Sequence, residues 1–130
     1  MYHLDLPAGS AIRLNASARP GVAIHRWDIR VLAAGDPDSA APPRLAYGSQ
    51  IGGLDCDQRI SIPAQDTDCR LVVTSRHTLG GSWANDHCSV GEDTPSHLLL
   101  GFCDRTQTGR SQDDVALSFV FERQQQSQQE

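Results

Sequence analysis

The sequence predicts an all-β fold: a two-layer antiparallel β-sandwich, jelly-roll or immunoglobulin-like in topology, with about eight strands. Three observations predict it. Apolar residues recur with a period of two, not 3.6. Eleven Gly and seven Pro cut the chain into short runs. Thirteen of the 16 acids are Asp, which competes for backbone hydrogen bonds and favours turns over helix interiors.

The elements follow in order. Tyr2, Leu4 and Leu6 alternate with His3 and Asp5, and Pro7-Ala8-Gly9-Ser10 stops the run. Ile12, Leu14, Ala16 and Ala18 alternate with Arg13, Asn15 and Ser17 until Arg19-Pro20-Gly21. From Val22 to Ala33, one face carries Ala23, His25, Trp27, Ile29 and Val31, and the other Arg26, Asp28 and Arg30. Residues 34–44 form a surface loop, because Pro42-Pro43 cannot donate to a strand ladder. Short strands are expected at 45–50 and 59–62. Cys69 to Ser75 and His97 to Cys103 are apolar on both faces and read as central strands. Val115, Leu117, Phe119 and Phe121 mark the last strand. No repeat or boundary divides the chain, so one domain is expected over 1–123. The Gln-rich tail 124–130 has nothing to bury and is expected to be disordered.

A formal net charge of −5 argues against nucleic acid as a partner, since such binding rests on neutralising phosphates. No apolar run approaches the ~20 residues that span a bilayer, so no membrane partner is expected. The opening MYHLDLPAGS has neither a basic nor an apolar signal region, which predicts a cytoplasmic location. All eleven basic residues are Arg, so every side-chain cation is a planar fork able to grip a carboxylate with two bonds.

Cys56, Cys69, Cys88 and Cys103 leave three readings open: buried thiols, disulfides or metal ligands. No C-x-x-C pair is present to favour zinc, and a set drawn from His77, His87, Cys88 and Cys103 has no spacing signature.

The segment 75–97 reads as a long loop between the two central strands. Long loops on a rigid scaffold gather binding residues. Its candidate ligand-binding residues are Trp83, Asp86, His87 and His77. Trp83 would stack on a sugar or another flat ligand; the competing reading makes it a core plug at one open end of the sandwich. Ser75 and Ser82 lie close to these histidines, but there is no G-x-S-x-G elbow, and no catalytic residue is assigned.

Three D-x-D pairs, Asp36/Asp38, Asp55/Asp57 and Asp66/Asp68, fall near strand ends. Calcium takes hard oxygens from such loops, and Asp104, Asp113 and Asp114 form the most plausible local trio, with calcium the one cofactor entertained. The alternative is that these acids close turns and pair with neighbouring arginines. The expected function is a non-catalytic binding module with a carbohydrate or protein ligand. One alternative is a cupin-like metal-dependent enzyme, although the H-x-H pair of such barrels is missing. The other is a structural subunit, or homo-oligomer, joined through sheet edges, with Val120 on the outer face of the last strand as a contact.

Overall fold

The computed structural model describes residues 1–18, 24–40, 42–51, 56–78, 80–103 and 114–123. Ten strands occur among them: β1 (Tyr2–Leu6), β2 (Ser10–Ala18), β3 (Ile24–Ala33), β4 (Leu45–Ile51), β5 (Cys56–Ile62), β6 (Cys69–Thr78), β7 (Trp83–Asn85), β8 (His87–Asp93), β9 (His97–Cys103) and β10 (Val115–Arg123). No helix occurs among the described residues. The chain is a β-sandwich of two antiparallel sheets. The first has the order β1-β6-β3-β4, with β7 also on β6; the second has the order β5-β2-β10-β9-β8.

Alternation builds the core. Trp27, Ile29 and Val31 of β3 and Leu71 and Val73 of β6 point inward from the first sheet, each fully buried. Leu14, Leu117, Phe119, Leu100 and Phe102 meet them from the second. Burying each large apolar side chain contributes roughly 1.5–3 kcal/mol, which is what holds the two layers together. Cys69 and Cys103 are free thiols, and Cys69 is buried.

Three features of the arrangement go beyond the reading of the sequence or correct it. First, β1 and β2 lie in different sheets, whereas the immunoglobulin arrangement keeps its first two strands in one. Second, β10 is central, paired with β2 on one side and β9 on the other, so Val120 marks no sheet edge. Third, 75–97 is not a long loop. β6 runs on to Thr78, Gly80 and Gly81 turn the chain at φ of 93° and 131°, and β7 returns along β6. Side chains other than glycine adopt such angles at a cost, so this turn is set by the glycine pair. β8 then forms the edge of the second sheet. Its sequence HCSVGED hides it, because an edge strand with its side chains mostly in water needs little apolar alternation.

Loop 34–44 is fastened to the first sheet. Arg30 donates to the Asp38 and Ala40 carbonyls, and Arg70 donates to the Asp38 carboxylate and the Asp36 carbonyl. The Arg70 hydrogen bond, helped by His3, holds the Asp38 carboxyl below its usual range. The expected tail at 124–130 lies outside the described residues, as do Asp55, Asp104 and Asp113. No helix of the described residues is long and apolar enough to cross a membrane.

Candidate functional site

Asp86 is the single residue between β7 of the first sheet and β8 of the second. Its backbone N–H donates to the Ser75 carbonyl at 2.9 Å, and its side chain is fully buried. There it accepts three side-chain hydrogen bonds: Ser75 Oγ at 2.6 Å, His25 Nδ1 at 3.0 Å and His77 Nδ1 at 2.6 Å. His25 and His77 are direct partners in the β3–β6 register, so they share the inner face and converge on one carboxylate. The other ring nitrogen of His25, Nε2, lies 3.5 Å from Asp114 Oδ2. Burial alone would raise the Asp86 carboxyl, but hydrogen bonds from His25, Ser75 and His77 outweigh it and leave the carboxyl below its ordinary value. The Ser75 hydroxyl donates to the carboxylate and not to a ring nitrogen, so the Ser–His contact of a nucleophile–base pair is not made here. The cluster pins the β7–β8 crossover to β3 and β6 of the first sheet, and His25 reaches from it towards Asp114 beside β10 of the second.

The outer face of the first sheet is different. Across β4, β3, β6 and β7 its side chains fall in rows. Ile24, Thr78 and Trp83 make one row, and Gln50, Arg26, Arg76 and Asn85 the next. Gly48, Asp28 and Thr74 make the third. Trp83 is 40% exposed and Ile24 38%, so apolar surface here stands in water. The Arg76 guanidinium carbon lies 5.9 Å from the Trp83 ring centroid. Asp28 takes Arg26 at 3.1 Å and Arg76 at 3.7 Å. Gly48 leaves room for this: a Cβ there would come within 2.6 Å of Asp28 Oδ1 and 2.9 Å of the Trp27 carbonyl. A depression of about 550 Å³ lies over this face, lined by Arg26, Asp28, Arg30, Thr74, Arg76 and Asn85 among others.

The structure separates the four residues read from the sequence as a ligand-binding set. Trp83 is on the outer face of the first sheet, and is no core plug. Asp86 and His77 face the interior clamp. His87 is exposed at the start of β8, opposite Cys103, on the second sheet. Of the calcium trio, Asp104 and Asp113 lie outside the described residues, and Asp114 is buried beside His25. No group of three or more His, Cys, Asp or Glu among the described residues is arranged to hold a metal ion. Sequence reasoning had put Arg26 and Asp28 on the solvent face of their strand. It gave no means of seeing that Arg76 would land beside them, because that depends on the β3–β6 register.

Compared with known protein families, with curated proteins and with solved structures, the chain matches none.

Proposed function

We propose that the protein is a binding module whose ligand lies on the outer face of the first sheet, and that the ligand is an acidic carbohydrate. The observation that carries this reading is the Arg26–Arg76 pair beside the exposed Trp83. An indole face packs against the C–H face of a sugar ring, while a guanidinium fork takes a carboxylate with two bonds. Thr74 and Asn85 line the depression with Arg26 and Arg76, next to Trp83 in the β6–β7 ladder, and would bond ring hydroxyls. Strand residues carry these groups, so the platform is rigid before a ligand arrives, and little ordering entropy opposes binding.

Calorimetric titration with oligogalacturonides and with neutral cello-oligosaccharides of equal length tests the reading. The acidic series should bind and weaken with added salt, and the neutral series should bind at least about tenfold more weakly. Trp83→Ala and Arg76→Ala should each cost about tenfold in affinity and leave the melting temperature nearly unchanged. Equal binding of both series, no binding of either, or a Trp83→Ala variant with full affinity would overturn it.

A further inference from the structure

The opposite sheet carries a second constellation. His97 Nε2 lies 2.8 Å from Ser118 Oγ, and His97 Nδ1 is hydrogen-bonded to the Glu92 carboxylate. A carboxylate accepts only, so the proton of the neutral ring sits on Nδ1. Nε2 is then the lone pair that accepts the Ser118 hydroxyl. This is the connectivity of an acid–base–nucleophile relay, with each group in the order the chemistry needs. It is the reverse of the Asp86 clamp, where the serine bonds the carboxylate directly.

A bulge assembles it. β8 pairs Val90 with Leu100, but Glu92 with Leu99, so Gly91 is the extra residue. Without that insertion Glu92 would fall opposite Leu98 and share its inward face. The bulge turns Glu92 to the outer face, where His97 and Ser118 stand. Bulges re-aim side chains in this way and are over-represented beside active sites. All three residues are reachable: Glu92 is exposed, and His97 and Ser118 are half-buried.

Ser118 also lines a depression of about 540 Å³ on this face, together with Arg13, Asn15, Arg59, Ser61 and Val120. Asn15 is the direct register partner of Ser118, and Arg59 is the partner of Asn15. The sheet's backbone N–H groups are engaged in the ladder, so a developing oxyanion would draw on side-chain donors of this lining, the Asn15 amide next to Ser118 and the Arg59 guanidinium beyond it among them.

We infer that Glu92, His97 and Ser118 form a hydrolytic site for carboxylic esters, independent of the carbohydrate-binding reading. Ser118 Oγ bonds to the carbonyl carbon, the carbonyl opens to an oxyanion, and the hydroxyl proton passes to His97 Nε2. His97 returns that proton to the leaving alkoxide as the acyl–oxygen bond breaks. Water, deprotonated by His97, then attacks the acyl-serine, and Ser118 leaves with the proton. One ester and one water become one acid and one alcohol, with no electron transferred. Ser118 and His97 are the catalytic residues, and Glu92 is a positioning residue.

The test is covalent labelling of the full-length protein with a fluorophosphonate, located by peptide mass spectrometry, beside hydrolysis of p-nitrophenyl acetate. The expected result is one label per chain, on Ser118, none in Ser118→Ala, and labelling at least about a hundredfold slower in His97→Ala. Glu92→Ala should slow labelling about tenfold or more, and Glu92→Asp should recover part of the rate. Because the wild-type label needs no variant to fold, its absence from Ser118, or its persistence at full rate in His97→Ala, overturns the assignment.

Discussion

Arg26 of β3 and Arg76 of β6 stand directly opposite each other in the first sheet, and the Asp28 carboxylate reaches both guanidinium groups. Like charges facing across strands are destabilising, and one carboxylate shared between two cations leaves the face locally positive on a chain of net charge −5. An arriving carboxylate would relieve that repulsion.

Asp28→Asn removes the shared anion. Stability should fall by about 0.5–1 kcal/mol, since the pairs are partly exposed and screened. Affinity for an acidic oligosaccharide should rise a few-fold at low salt and return to the parent value at high salt. Urea denaturation and calorimetry read the two effects. A variant of unchanged stability and weaker affinity would show that Asp28 contacts the ligand instead of balancing the arginines.

Gly48→Ala inserts a methyl group against the Trp27 carbonyl and Asp28 Oδ1. A backbone oxygen at 2.9 Å cannot swing away, so β4 must shift from β3. The expected cost is about 1–3 kcal/mol in urea denaturation. Unchanged stability would mean that β4 moves freely at this point.

Asp86→Ala strips the acceptor from Ser75, His25 and His77 at once. Removing one member of a buried charged network typically costs about 3–5 kcal/mol, and a loss of that order is expected. The Ser75→Ala variant loses one neutral donor from the cluster and should cost only about 1 kcal/mol. Equal losses in the two variants would contradict a carboxylate-centred clamp.

Acid should act through the same group. The folded Asp86 carboxyl lies below its unfolded value of 3.8, so in the interval between them the unfolded chain binds more protons. The stability it contributes is therefore present above about pH 4 and is lost as pH falls through the folded value. Asp38 acts in the same direction, with Arg70 as its main partner. Urea midpoints measured from about pH 6 down to about pH 2.5 should drop in the wild type and drop less in Asp86→Asn. Parallel curves would remove Asp86 as the acid-sensitive group.

Strands with one wet face and one dry face were legible. β2, β3 and β10 show Ile12 to Ala18, His25 to Val31 and Val115 to Phe121 as clean alternations, and each buries the face so marked. β7 and β8 were not legible, because Trp83, Ala84 and Asn85 are all exposed and β8 is almost entirely so. Their existence depends on hydrogen bonds to β6 and β9, which local composition does not encode. The sites were less legible for the same reason. Arg26 and Arg76 are 50 positions apart, and His97 and Ser118 are 21. Pairing register brings each pair together, and Gly91 becomes the bulge only when β8 meets β9.

The ribbon from Trp83 to Asp93 changes layers at one residue, Asp86. A sandwich resists shear poorly where only grease joins its slices, since apolar contacts have no preferred direction. Here three hydrogen bonds tie the crossing point to one layer, and His25 reaches over the plane to Asp114 at the root of β10. The indole on one exterior and the carboxylate of Glu92 on the other are thus borne by a single stiff strap.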